Sequence, residues 1–338
     1  MPSMLNSDVI LLNYCATSFF YLDILILYLL RKRIIYFFHG SDSRPPYMNG
    51  KYIYPPQNDW HVLFLTITLR LRLLAIELLA SEIVVPPQSS QFFSRRCISF
   101  LSVGLPMPSP LVPINSRYPI APPDSSFQVI HAPSNLINKG TYYIRRAIDT
   151  ILSQGIPVEY TELSNRPNSE VLMALAGADL LIDELWSDTR MAGLCMEAAS
   201  VGTPCLIGSN YTAKQWDYDV GTKEPPVLIC QWQELVPCLI HLYNNYKLRS
   251  NYHDRLVSGE LPSTSQVADR MLSIINNEIP AHYYFAPLSI AYHHGWGAPP
   301  ADVDRYILHY LTIFGRRALM LPQESQCFKA IRLMAAQT

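Results

Sequence analysis

The sequence predicts an α/β protein of two domains, each built on a parallel β-sheet with helices on its faces. From Phe127 onward, short apolar runs alternate with helical stretches, the order that lays parallel strands side by side under crossover helices. The residues before that point show the same order more weakly. Pro106–Pro123, PMPSPLVPINSRYPIAPP, resists both helix and central strand and reads as the linker between the two. A chain of 338 residues, 49% hydrophobic and 16% charged, has the length for about two domains and the apolar content for packed cores.

The elements follow in order. DVILLNY gives a first strand over Val9–Tyr14, and Tyr21–Leu30 a helix. Val9–Leu30 is also 22 mostly apolar residues followed by Arg31-Lys32-Arg33, long enough to cross a bilayer. Asp23 would cost roughly 2.5–3.5 kcal/mol near a bilayer centre. With Asn13, Thr17 and Ser18 it favours a buried β-α unit instead. RIIYFFHG and EIVVPP are the next strands, with helical material between them. In the second half FQVIHAP is a strand, KGTYYIRRAIDTILSQG a helix closed by Gly155, PVEYTEL a strand and NSEVLMALAG a helix. DLLIDEL is a strand, AGLCMEAASVG a helix closed by Gly202, PCLIGS and PVLIC strands, and QWQELVPCLIHLYNNY the start of a long helix. A tail from about Ile279 contains the helix ADVDRYILHYLTIFG. The domains are then 1–122, 123–278 and a C-terminal extension 279–338 that packs back on the first.

A net charge of −1 gives no whole-chain case for nucleic acid. Residues 1–122 carry 10 Lys and Arg against 6 Asp and Glu, and the remainder 16 against 21. The basic first part suits either a plain solvated surface or peripheral contact with an anionic membrane. Seven Cys without a CxxC spacing read as free thiols of a reducing, cytoplasmic compartment. No charged leading region marks a cleavable signal. Nine His show no ligand spacing, and the loop pair His293-His294 alone does not make a metal site, so none is expected.

Three polar clusters fall where strands end, the edge at which parallel sheets hold ligands. Asn138-Lys139-Gly140-Thr141 opens a helix after the turn His131–Ser134. It is either an ordinary helix start or a phosphate site, where helix-start amides and a lysine point charge would meet an anion. In SDTRMAGLCMEAASVGTPC, Ser187–Cys205, Gly193 and its small neighbours let backbone come close to a ligand. Glu197 is a lone carboxylate in the first turns of the helix that follows. It either faces solvent or accepts two hydrogen bonds from a vicinal diol such as a ribose. Asp183, Glu184 and Asp188 stand just ahead of it, as loop decoration or a sugar-hydroxyl site. The third cluster, His39-Gly40-Ser41-Asp42 after RIIYFF, is either a glycine turn or a set of ligand groups.

The segments YFFHGSDSRPPYMNG, IHAPSNLINKGT and ADLLIDELWSDTRMAGLCMEAASVGTPCLIG, in this order and spacing, resemble the GT-B glycosyltransferases of the retaining, family 4-like kind. The resemblance covers nearly everything from about Ser7 to the tail. It implies two Rossmann-like domains facing each other, with a nucleotide-sugar held mainly by the second. It implies transfer of a hexose to a glycan or lipid-linked acceptor with retention, by front-face attack without a protein nucleophile. By the same resemblance Glu197 matches the glutamate on the donor ribose and Lys139 the lysine that neutralises the diphosphate. His39 matches the histidine facing the transferred sugar, with Gly40, Ser41 and Asp42 beside it. Gly193 and Leu194 match the loop under the donor, and Ser134, Gly140, Asp183, Glu184 and Asp188 surround it. Neither metal nor other cofactor is needed if Lys139 and helix N-termini carry the phosphate charge.

The pattern is not complete. The family's two glutamates are separated by seven residues, and Thr189 occupies the first position. No arginine lies between His131 and Asn138, and no glycine before Gly40. The N-terminal domain is therefore expected to lack its first strand and glycine-rich loop. This leaves a non-catalytic or split-enzyme relative as the alternative, with a nucleotide-sugar epimerase of the same fold as a minor one.

Overall fold

The structure, a computed structural model, describes residues 6–14, 22–109, 126–189, 191–209 and 226–337. Most of the proline-rich linker, and residues 15–21 of the first apolar stretch, lie outside the described residues. The chain forms two compact units. One holds Met1–Gly104 and Arg270–Thr338, the other Leu105–Tyr211 and Lys223–Asp269.

The first unit opens with β1 (Val9–Asn13), α1 (Leu22–Leu29) and β2 (Arg33–Phe37). The short α2 (Gly50–Ile53) and the long α3 (Asp59–Leu79) follow, then β3 (Glu82–Val85), β4 (Cys97–Ser99) and α4 (Phe100–Val103). Ile34, Ile35 and Tyr36 of β2 are fully buried, the continuous apolar run of a strand covered on both faces. Asn58 starts α3 by accepting from the Trp60 N–H at 2.9 Å. Helices α1 and α3 leave apolar side chains in solvent: Leu22, Leu25 and Leu29 on one, and Trp60, Phe64, Ile67 and Leu71 at helical spacing on the other. No helix among the described residues is long and apolar enough to cross a membrane.

The second unit contains β5 (Phe127–His131), α5 (Thr141–Ser153), β6 (Val158–Glu162), α6 (Asn168–Ala176), β7 (Leu180–Ile182), α7 (Gly193–Ser200), β8 (Cys205–Gly208) and β9 (Leu228–Cys230). Helices α8 (Leu235–Asn244) and α9 (Tyr246–Val257) complete its core, and α10 (Thr264–Ile275) carries the chain back to the first unit. There β10 (Tyr284–Phe285), α11 (Pro300–Phe314) and α12 (Gln326–Gln337) end the fold. Val303, Ile307, Tyr310, Cys327 and Ile331 of the tail join Ile34, Tyr36, Ile76 and Ile83 in the first unit's core.

The first sheet runs β1-β2-β3-β4 in chain order, all parallel, with β10 antiparallel on β4. The second runs β6-β5-β7-β8-β9 and is parallel throughout. Its chain moves outward from β5 to β6, then crosses back to place β7 on the other side of β5. That reversal leaves a crevice at the carboxyl ends of β5 and β7, the position where doubly wound sheets take ligands.

Two expected elements differ. The strand expected over DLLIDEL stops at Ile182, so Asp183 and Glu184 leave the sheet at that crevice. The long helix expected from Gln231 is two helices, because Asn245 adopts φ −116° and ψ 68° and breaks the ladder between them. The structure also adds β4, which the sequence does not announce, since three residues are too few to show a period.

Candidate functional site

The loop after β5 and the loop after β7 meet through one buried ion cluster. The Lys139 Nζ lies 2.7 Å from Asp183 Oδ1 and 2.7 Å from Glu184 Oε2. Asp183 and Glu184 are 0% and 2% exposed, and Lys139 9%. Burial by itself would lower the lysine's pKa, but the two carboxylates outweigh it and hold the ammonium's pKa above the ordinary lysine range. A raised folded-state value means the cation's stabilising contribution is complete below the ordinary lysine pKa of about 10.4 and fades only above it. Lys139 therefore stays charged across the neutral range. Backbone bonds fix the same loop: the Gly208 N–H donates to the Glu184 carbonyl at 2.7 Å and the Asp183 N–H to the Leu206 carbonyl at 3.1 Å. A Cβ on Gly208 would stand 2.0 Å from the Leu185 carbonyl oxygen, so only glycine lets β8 come this close.

His131, the last residue of β5, locks the other side. Its Nδ1 is 2.8 Å from the Ile182 carbonyl, which can only accept, so Nδ1 carries the proton. Nε2 then accepts from the Thr141 hydroxyl at 2.8 Å, tying β5, β7 and the start of α5 together. Burial pushes the His131 pKa down, against the Ile182 carbonyl and the nearby Asp183, which favour the proton. Cys195 adds a thiol hydrogen bond to Asp183 Oδ2 at 3.3 Å, with the Cys205 sulfur 2.7 Å from its own. Burial pushes both thiols up, so they serve as neutral packing groups.

Of the two readings of the helix start at 138–141, an ordinary helix start and a phosphate site, the backbone bonds fit the first. Asn135 Oδ1 accepts from the Ile137 and Asn138 N–H groups at 3.0 and 2.9 Å. The Lys139, Gly140 and Thr141 N–H groups donate to the carbonyls of Asn135, Ile137 and Leu136. These amides close a turn on themselves and are not turned toward an anion. Ser134 is exposed ahead of that turn, and a Cβ on Gly140 would meet Leu185 Cδ1 at 2.9 Å.

The start of α7 is open by contrast. Its cap residue, Ala192, offers no side-chain acceptor, and the first amides of an α-helix have no partner within it. Gly193 is exposed, with nothing within 4 Å of where its Cβ would be. Leu194 is half-buried. Glu197, four residues on, shares a helix face with Gly193, while Cys195, Met196, Ala198 and Ala199 turn into the core. Glu197 is half-buried, less enclosed than a lone carboxylate in an apolar segment suggests. Its carboxylate makes no hydrogen bond or ion pair to any described residue. Asp188 is buried in the loop between.

No family profile and no curated protein matches the sequence. Solved structures are similar at low identity. Anabaena HepE in complex with UDP-glucose is 13% identical, covering 82% of this chain and 80% of its own, with a TM-score of 0.47. Staphylococcus aureus TarM, solved as a mutant with Fondaparinux, α-GlcNAc-glycerol and UDP, is 11% identical over 72% of this chain and 51% of its own, with a TM-score of 0.46. This chain thus spans about half of TarM. Staphylococcus aureus MnaA with UDP is 12% identical over 82% of this chain and 75% of its own, with a TM-score of 0.39. At TM-scores below 0.5 the chemistry of the site has to stand on its own geometry.

In the first unit, His39 is exposed at the end of β2, its ring 4.5 Å from that of Tyr14 and 5.3 Å from that of Phe100. Its ring nitrogens make no hydrogen bond to a described residue. Asp42 Oδ1 accepts from the His39 and Gly40 N–H groups at 2.9 Å each, which fixes the turn. Ser41 is exposed, with its Oγ 3.4 Å from Arg44 Nη1. The sequence reading gave no role to His131 or Cys195 and did not foresee the pairing of Thr141 with His131. The partners of His131, Thr141 and Cys195 lie 51, 10 and 12 residues away, and no local spacing announces such contacts.

Lys139→Met removes the cation from between two buried carboxylates and is expected to cost about 3–5 kcal/mol of stability, read from the denaturant midpoint. Adding Asp183→Asn and Glu184→Gln should recover most of it; an unchanged midpoint in the single variant would contradict the clamp. His131 predicts a pH effect. Its folded-state pKa lies below its unfolded value of about 6.5, so the unfolded chain takes up more protons in acid and stability falls as pH drops below that value. His131→Gln should flatten the fall of melting temperature between about pH 7.5 and 5.5, the window around that unfolded value; an identical slope would remove His131 from the account.

Proposed function

We propose that the second unit binds a nucleotide-sugar at the β5/β7 crevice and that the protein is a glycosyltransferase. The observation that carries this reading is Glu197, a carboxylate with no described partner on the same helix face as the open, uncapped start of α7. Two vicinal hydroxyls suit a carboxylate that accepts only, and a diphosphate suits free amides at the positive end of a helix. The diphosphate then rests on Gly193 and Leu194. Lys139 contributes the one N–H that Asp183 and Glu184 leave it. The transfer is of a hexose to a glycan or lipid-linked acceptor with retention, as the sequence resemblance implies. In the first unit, His39, with ring nitrogens that meet no described residue, is the candidate ligand group that the sequence resemblance implies. No cofactor beyond the donor is invoked.

The same cluster favours a second reading, a nucleotide-sugar-binding relative without turnover. Two of three Lys139 donors are spent on carboxylates, which weakens what the lysine can give a departing diphosphate. Donor binding without any nucleotide release on incubation with acceptors or water would select that reading.

Glu197→Ala is expected to weaken nucleotide-sugar binding by roughly 1–3 kcal/mol, the scale of a charged hydrogen bond. Titration of a panel of nucleoside diphosphates and nucleotide-sugars into both proteins measures it. Equal affinity in a folded variant would sink the assignment. We also place peripheral membrane contact on α1 and α3, where exposed Leu25, Leu29 and Phe64 accompany the run Arg31-Lys32-Arg33. Cosedimentation with anionic vesicles, lost on Leu29→Ser with Phe64→Ser, is the expected result; binding unchanged by the pair would contradict it.

A further inference from the structure

A second polar cluster lies in the first unit, in the loop before α11. His293 Nε2 is 3.1 Å from Asp304 Oδ1, and His294 Nε2 is 3.3 Å from the same oxygen. One ligand atom from each residue lies within 4.8 Å of the others. The rings of the two histidines are 4.4 Å apart and inclined at 47°.

The hydrogen-bonding of His293 is the telling feature. Its Nδ1 is 3.3 Å from the Ala291 carbonyl oxygen, and its Nε2 faces the Asp304 carboxylate. Both oxygens only accept, and a neutral imidazole has one N–H. Either an extra proton or a cation must stand between Nε2 and the carboxylate. A metal ion satisfies all three groups together. Nδ1–H donates to the Ala291 carbonyl, the outer contact that orients a ligating histidine, and both Nε2 lone pairs and the carboxylate oxygen turn to the metal. Zinc bonds of about 2.0–2.1 Å put neighbouring ligands of a tetrahedron about 3.3–3.4 Å apart. The two separations at Asp304 Oδ1, 3.1 and 3.3 Å, are close to that edge.

The scaffold is stiff enough to hold such a site. The Gly50 N–H donates to the Trp296 carbonyl at 2.7 Å, the Tyr292 hydroxyl to the Gly295 carbonyl at 2.8 Å, and Gln91 Nε2 to the Tyr292 carbonyl at 3.0 Å. A Cβ on Gly50 would stand 2.2 Å from the Gly297 carbonyl carbon, so the start of α2 and this loop touch backbone to backbone. Asp304 sits in the second turn of α11, which gives the third ligand a fixed direction. The side chains are 15%, 26% and 33% exposed, which leaves a fourth position to water.

We propose that His293, His294 and Asp304 form a binding site for a divalent transition metal, zinc foremost, that fastens the loop before α11 to that helix. Two imidazoles and one carboxylate suit zinc and its first-row neighbours rather than magnesium or calcium. The sequence pair His293-His294 did not announce the site, because the third ligand stands ten residues on and is brought back by the loop.

The test uses the full chain, stripped with chelator and dialysed, then titrated with zinc chloride by calorimetry and with cobalt(II) by visible absorption. One equivalent of zinc is expected, with visible cobalt bands of oxygen and nitrogen ligation. Asp304→Asn and His294→Gln, each checked for folding by circular dichroism, should weaken that binding at least about tenfold. The two variants are independent, so one failing to fold leaves the other. No zinc uptake by the wild-type chain, equal uptake in a folded variant, or a cobalt spectrum of thiolate charge transfer would overturn the proposal.

Discussion

The carboxyl edge of the second sheet depends on the ammonium of Lys139 lying between Asp183 and Glu184. Two carboxylates that leave the sheet together, both buried, would otherwise repel each other and oppose folding. With the lysine between them they become the pin that joins the loop after β5 to the loop after β7. His131 makes the same join one layer below, through Ile182 and Thr141. The strand reversal creates the crevice, and these two contacts give its rim a single shape.

That arrangement divides the labour of the site. The groups that hold the loops are buried and satisfied by one another. In the proposed reading, the groups that meet a ligand are on the next element: the first amides of α7 and the carboxylate of Glu197. A residue used for positioning and a residue used for binding thus make different demands on stability. Loss of Lys139 removes a partner from two buried charges. Loss of Glu197 removes a half-buried charge that has no partner among the described residues.

Much of the second unit was legible in the sequence, because β5, β7, β8 and β9 are short apolar runs and α5 shows a clear buried face. Helix α5 buries Ile144, Ala147, Ile148 and Ile151, and the stops at Gly155 and Gly202 both take positive φ. The first unit was less legible. Its β4 is three residues long, and β10 two, too short for a period. At the site, the sequence placed Lys139, Asp183, Glu184 and Glu197 near one sheet edge but did not foresee which would pair. Charge pairing across 44 residues is a property of the strand order, not of local spacing. For the same reason the residues 138–141 fit an ordinary helix start and a phosphate site equally well until the turn led by Asn135 is seen.

In the proposed reading the open start of α7, and not the closed start of α5, receives the anionic part of a nucleotide-sugar. Hydrogen–deuterium exchange with and without saturating nucleoside diphosphate tests it directly. The account predicts slowed exchange in peptides covering Gly193–Glu197, with little change at Gly140–Tyr143. Unchanged exchange at Gly193–Glu197 while a diphosphate is bound elsewhere would contradict it.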